Sequence, residues 1–527
     1  LDRREVYSTS LSLNQLDKLK TEFGLKEAKR VRALLERFSR RTFRDPEELL
    51  RFHELLLFVR AYPHNAAVAR KAEAQLRTFP GRIALLREQV VDLSSLEHPE
   101  VSGMAGMAVT DTFSYYIVRL LSQRYLAQMA LYWEWFEDEV RLAQTWPRFI
   151  PFFEEDASVE ANVPYREWLA AARGRSSELS WLLERFEELS KPEKEKAELY
   201  DSLQLYVRWT PRFRSSRTGL RSSTSKLFFH RGPLIQRRDI RLKEHLDQAP
   251  PELRKLPLSQ GEKALHLAQE ASTVRYRELY GFTHGDPRHV YRTTLGRGVE
   301  LFIFGLPSVK RLPLRAYHAT MIYKNGVPIG YFEGLSLFER MESGFNLYYT
   351  FRDGETAWLY ARILNVMRHF AGVTSFAIDP YQIGFENEEG IASGAFWFYR
   401  KLGFRPTDRD VLRLVQKEEQ KIAAQSGHRT PARTLRKLAE SPMLFELNQQ
   451  QAGDWDRFQV RKIGFKAARQ KAKNFTGLLD LEGWTADEKK LLARIVRAKT
   501  SSEETTYLKL MRRHDRLRRE IIRLGSL

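Results

Sequence analysis

The chain of 527 residues has no cysteine. That absence excludes disulfides, thiolate metal sites and cysteine nucleophiles together, and it fits a cytoplasmic protein. Long apolar runs are also lacking. A membrane-spanning helix needs about eighteen or more uncharged apolar residues, and runs such as Leu55 to Val59 are far shorter. No secretory leader is recognisable at the start. The first residue is Leu1 rather than Met, which leaves the true start open. Acidic residues are outnumbered, 67 Asp and Glu against 87 Lys and Arg, for a net charge of +20. A field of that sign favours polyanions: nucleic acid, an anionic lipid surface, or the phosphates of a nucleotide cofactor.

The length implies two to four domains. Residues 1–205 read as an all-helical domain. Asp45-Pro46-Glu47-Glu48 is a helix start, with a cap, a first-turn proline and two acids at the positive end of the dipole. Asn65 caps the next helix. Asp111 opens the longest one, to about Trp146, along which Phe113, Tyr116, Ile117, Leu120, Leu121, Tyr125 and Met129 recur at helical spacing. That stripe is either a greasy groove for an acyl chain or partner, or the core of a helical bundle.

Residues 206–260 form a basic linker or docking segment. Within 208–243 there are eleven Lys and Arg against the single acid Asp239, with Trp209, Phe213, Phe228 and Phe229 interspersed. Such a stretch binds a phosphate backbone and stacks bases, or is a solvated linker. Residues 261–450 change to a mixed α/β pattern. His284 and Asp286 stand in a Gly-Asp-Pro loop, where they either orient a substrate or do turn chemistry. Strands are expected at Val299–Phe304, at Tyr317–Lys324, at Val327–Phe338 across an Asn325-Gly326 hairpin turn, and at Gly344–Phe351. A helix follows, ended by Gly372, then a buried strand Val373–Ile378 and a helix from about Asn387 to Leu402. Met443 to Leu447 is a candidate last strand. Residues 451–527 are a basic helical extension, ending in an amphipathic helix from Leu510 to Leu524 that either touches an anionic partner or lies on the protein. The fold class expected is therefore α+β and multidomain.

The hairpin, the long strand, the turn Arg352 to Ala357, the helix, the buried strand and the closing segment Tyr399-Arg400-Lys401-Leu402-Gly403-Phe404 follow one another in an order that resembles the core of the GNAT superfamily of N-acyltransferases. The resemblance covers about 298–406. It implies a GNAT-like central domain using acetyl-CoA or another acyl-CoA as co-substrate. Its pyrophosphate would sit on Arg352, Asp353, Gly354, Glu355, Thr356 and Ala357, and its pantetheine arm along Tyr349, Thr350 and Phe351. Tyr399 would be the acid toward the leaving thiolate. Arg352 and Ala357 keep the family's spacing, while Glu355 holds the place of its middle glycine.

The residues themselves add a base and an acceptor site. Direct attack of an amine on a thioester needs a proton acceptor and no covalent nucleophile. Glu333 and Glu342, on or beside the central strands, are the candidates. The polar loop carrying Gln382, Asn387, Glu388 and Ser393 is placed to meet the acceptor. No metal site is expected. The activity expected is acyl transfer to an amine on a protein, a lipid or an RNA. The alternatives are an aminoacyl-tRNA-dependent transferase on the same fold, and a non-catalytic basic scaffold that binds nucleic acid.

Overall fold

Helix starts follow the capping residues. Asp45 accepts the Glu47 N–H at 3.0 Å and opens the helix Pro46–Ala61. Asn65 accepts the Val68 N–H at 2.9 Å and opens Ala66–Leu76. Each side chain satisfies an N–H that the helix leaves without an internal partner. The structure, a computed structural model, describes residues 3–149, 164–223 and 226–526. Leu1, residues 150–163 of the expected helical stretch, residues 224 and 225 of the basic one, and the last residue of the C-terminal extension lie outside the described residues.

The structure mixes helix and strand, with a helical N-terminal region and a sheet-bearing central region. It forms two compact units, Leu1–Ser223 with His266–Thr283, and Thr224–Leu265 with His284–Leu527. Among the described residues no helix is long and apolar enough to cross a membrane.

The first unit is not purely helical. It holds a three-stranded antiparallel sheet of β1 (Val109–Asp111), β2 (Met129–Leu131) and β3 (Val207–Trp209), with β3 in the middle. The long helix expected from Asp111 is only Tyr115–Tyr125. Its end is pinned: Glu270 accepts hydrogen bonds from Tyr125 at 2.6 Å and Arg124 at 2.8 Å, and the Tyr125 ring lies 5.4 Å from that of Trp209. The chain then turns to pair with β3, so tertiary pairing overrides a helical period. Phe113, Ile117, Leu121 and Met129 are buried and belong to the core. The start of the basic segment is anchored in this unit, while Arg212, Arg214 and Arg221 stay exposed. Trp209 and Arg217 are buried, and the Arg217 guanidinium reaches Glu54 at 2.6 Å.

The second unit is built on a nine-stranded sheet. Its strands are β4 (Leu253–Lys255), β5 (Val290–Gly296), β6 (Val299–Phe304), β7 (Ala316–Lys324), β8 (Val327–Leu337), β9 (Arg340–Leu347), β10 (Ser375–Ile378), β11 (Arg405–Pro406) and β12 (Met443–Glu446). Their order is β11-β12-β10-β9-β8-β7-β6-β5-β4. Every neighbouring pair is antiparallel except β9 with β10. Asn325 and Gly326, at φ 50° and 80°, make the two-residue turn between β7 and β8.

Two expectations are corrected here, and an open one is decided. β9 starts at Arg340 rather than Gly344 and ends at Leu347, and Tyr349–Phe351 is a 3-10 turn. The cause is a two-residue connection, Phe338-Glu339, with Phe338 at φ 55° and fully buried against Trp455. A bulky residue adopts that conformation only when packing holds it there. The helix expected over 387–402 is two, Glu388–Ser393 and Ala395–Arg400, because Gly394 is left-handed at φ 65°. The C-terminal helix Asp515–Ser526 buries Leu517, Ile521 and Leu524, so its apolar face lies on the protein.

Candidate functional site

A parallel pair in an otherwise antiparallel sheet is the starting point. β9 and β10 pair over three residues only, Arg340 with Ser375, Met341 with Phe376 and Glu342 with Ala377. Beyond that point β9 stays paired with β8 as far as Leu347 but, among the described residues, has no strand partner on its other edge. The strands thus part toward their C-terminal ends. Ser343 sits at the apex, its Oγ 3.4 Å from the Ala377 carbonyl. Glu333, Gly344, Phe345 and Asn346 around the gap are half-exposed within a buried sheet.

Strand alternation assigns the two walls. On one face Glu333 stands opposite Gly344. A Cβ on Gly344 would lie 3.7 Å from Gln382 Nε2 and 4.0 Å from Glu333 Oε2, so the glycine leaves this corner open. Tyr317 donates its hydroxyl hydrogen to Glu333 Oε1. Burial pushes the Glu333 carboxyl above the usual carboxylate range, with the Tyr317 hydrogen bond pulling the other way. Glu342, on the same face, is ion-paired with Arg315 at 3.4 Å and Arg340 at 3.6 Å.

The other wall is aromatic. Tyr360, one turn into the helix Thr356–Ala371, meets Ser343 Oγ at 3.0 Å, and its ring is 5.0 Å from Phe345 and 5.6 Å from Tyr399. Tyr399 is buried between Tyr360, Phe398 and Phe404, and burial pushes its hydroxyl well above the usual tyrosine range. No hydrogen bond engages that hydroxyl among the described residues. Tyr399 thus packs, through Tyr360, against the helix that the turn Arg352 to Ala357 leads into.

At that turn the first helical hydrogen bond is Leu359 N–H to the Glu355 carbonyl. The amides of Thr356, Ala357 and Trp358 precede it and have no acceptor within the helix. Gly354 is bonded back to the Phe351 carbonyl at 3.0 Å. Arg352 pairs with Glu389, and Tyr349 is exposed. Glu355, expected to face a phosphate, is buried instead. Its carboxylate pairs with the Arg297 guanidinium, lies 3.8 Å from Lys324 and accepts the Ile235 N–H at 3.1 Å. Lys324 lies beside His230 at 2.9 Å, and burial pulls its ammonium down to about 7. Thr350 is buried, and Asp353 lies in the loop that leads to the helix. Two further cations stand near this end. Arg237 faces Lys401, which burial and that guanidinium pull below the usual range, and no carboxylate pairs with either among the described residues.

The acceptor set is only partly brought together. Gln382 faces the opening. Asn387 caps its own helix by accepting the Gly390 N–H at 3.2 Å, Glu388 pairs with Arg436 at 2.9 Å, and Ser393 bonds the Gly390 carbonyl at 3.3 Å. His284 and Asp286 lie elsewhere. Asp286 bonds the Gly305 carbonyl through its own N–H at 2.9 Å, at the end of β6, while its carboxylate holds Arg288 at 2.9 Å. That is three strands from β9, or about 14 Å. Tyr317 was missed by sequence reasoning, although the Asn325-Gly326 turn fixes a register that puts Ala319 opposite Glu333, and Tyr317 diagonal to it on the same face. Arg297, Lys324 and Arg237 carry no local signal. Among the described residues no group of His, Asp and Glu is arranged to hold a metal ion. Compared with protein-family models, curated proteins and solved structures, the chain matches none.

Proposed function

We propose that the second unit is an acyl-CoA-dependent N-acyltransferase on a GNAT-like sheet, acting on the amine of a large or anionic acceptor. The observation that carries this reading is the parallel pair that parts after three residues, with a helix N-terminus and an unbonded tyrosine hydroxyl beside it. The unpaired edge of β9 suits the amides of an extended pantetheine arm. The free amides of the helix start, with Arg237 and Lys401 nearby, suit a pyrophosphate. Turning Glu355 inward onto Arg297 neutralises one of the two negative charges of the turn, the other being Asp353.

In this reading Glu333 takes the proton of the amine as nitrogen attacks the thioester carbonyl carbon. The C–N bond forms, the C–S bond breaks, and the thiolate leaves toward Tyr399. A buried tyrosine whose proton is held more tightly than a thiol's stabilises the thiolate by donating a hydrogen bond, and full transfer is uphill. Aminolysis of acetyl-CoA is tested by colorimetric detection of released thiol, using amine-bearing peptides, RNA and lipids as acceptors. Because the chain lacks cysteine, every thiol detected is coenzyme. Tyr399→Phe is expected to lower kcat about tenfold to a hundredfold with donor affinity retained. Thiol release that is absent with every acceptor, together with no saturable acetyl-CoA binding, contradicts the reading.

A further inference from the structure

Outside this opening, the densest uncompensated charge lies in residues 457–473, which hold seven Lys and Arg and no acid. Of the cations of 208–223, Arg217 is buried and held by Glu54, and Arg221 lies 3.4 Å from Glu73. Arg457, Arg461, Arg469, Lys471 and Lys473 are exposed. None of the seven pairs with a carboxylate among the described residues. Arg461 reaches only Gln459, at 3.0 Å, and Lys462 only the Ser526 carbonyl, at 3.1 Å.

The helix Val460–Arg469 gives these charges a shape. Its inner face buries Ile463. Arg461, Phe465 and Arg469 follow at intervals of four, so they form one stripe on the outer face, about 12 Å long. Phe465 is 70% exposed. Gly464 beside it has nothing within 4 Å of where a Cβ would be, and Ala468 is exposed, so no bulky neighbour on the helix covers the ring. An apolar ring held in water between two guanidinium groups is poorly explained by packing.

We propose that this face binds a single strand of nucleic acid, with phosphates on the arginines and a base stacked on Phe465. Stacking on an exposed ring between cations is how sequence-tolerant single-strand sites gain affinity. A duplex keeps its bases stacked and gives the ring nothing to do. A membrane-binding helix needs a broad apolar face, and here the exposed apolar surface is one side chain, because Ile463 faces inward. The proposal does not depend on the acyltransferase reading.

The test uses the full chain and a fluorescein-labelled, mixed-sequence single-stranded RNA of about 16 nucleotides. Anisotropy is measured across a salt series, beside a duplex of the same sequence and phosphatidylserine vesicles. Phe465→Ala is expected to weaken strand binding about tenfold and leave the salt slope unchanged, with Phe465→Tyr restoring it. The double variant Arg461→Glu, Arg469→Glu is expected to weaken binding further and flatten the salt slope by about 0.7 per lost phosphate contact. All three positions are exposed, so thermal melting should match that of the unaltered chain. Strand binding that is absent, or unchanged in both variants, overturns the proposal. So does a duplex or vesicle bound as tightly as the strand with Phe465→Ala indifferent.

Discussion

A carboxyl group and an amine, both inside the sheet, carry the sharpest predictions at the residue scale. Glu333 is raised by burial, so as a base it works only above its own pKa. The pH profile of kcat/KM should therefore fall toward acid on a limb above the ordinary glutamate range. Glu333→Gln should remove that limb and lower the rate about a hundredfold or more; a rate and profile matching the unaltered enzyme would take Glu333 out of the mechanism. Lys324 is lowered to about 7. In the unfolded chain it holds its proton up to about pH 10. Between those values the unfolded state binds more protons, so stability rises with pH across that window, and the cost of burial is fully present below it. Lys324→Met should raise Tm relative to the unaltered chain at pH 6, with the difference shrinking by pH 9. The energy at stake is on the order of 4 kcal/mol. A Tm difference independent of pH would show that Lys324 does not titrate in this way. Residue types at these places were legible in part. Glu333 and Tyr399 stand out as a strand carboxylate and an aromatic hydroxyl in the closing segment. The inward turn of Glu355 is invisible in sequence, because its partner Arg297 comes from a different turn, between β5 and β6.

At the scale of elements, strands with strong turn chemistry were readable and those without it were not. Asn325-Gly326 announced β7 and β8. Phe338-Glu339 announced nothing, so the start of β9 was displaced by four residues. β4 was missed because three residues carry no alternation to read, and β5 because its seven residues between turns at Asp286 and Gly298 alternate only weakly. The helix broken at Gly394 was read as continuous, since isolated glycines inside a helical period, here Gly390 and Gly394, are usually tolerated. Asn325 does more than turn the chain. Its side chain accepts the Phe228 N–H at 2.8 Å and donates to the Phe228 carbonyl at 3.0 Å, which fastens residues 226–230 to the hairpin. Asn325→Ala loses both bonds and strains a residue at φ 50°. It should cost about 2–4 kcal/mol in chemical denaturation, and Asn325→Gly should cost less, because the glycine keeps the turn. Equal losses would mean that the side-chain bonds, and not the left-handed backbone, account for the whole effect.

For the whole molecule, the extension after residue 450 is part of the second unit's core. Tyr507 donates to the Leu314 carbonyl at 2.6 Å, Lys499 to the Arg315 carbonyl at 2.8 Å, and Glu339 accepts from Trp455 at 2.7 Å and Arg518 at 2.6 Å. Its helical and basic character was legible from composition, but these attachments pair residues more than a hundred positions apart and leave no local pattern. The same holds for the gap between β9 and β10: order along the chain suggests it, and only pairing in space shows that it opens after three paired residues. The measurement that reaches this gap most directly is hydrogen–deuterium exchange of the full chain with and without acetyl-CoA. Protection is expected at the amides of Ser343–Leu347 that face away from β8 and at the helix start from Thr356 to Trp358. Acetyl-CoA that protects neither stretch, or protects a different part of the chain, contradicts the acyltransferase account.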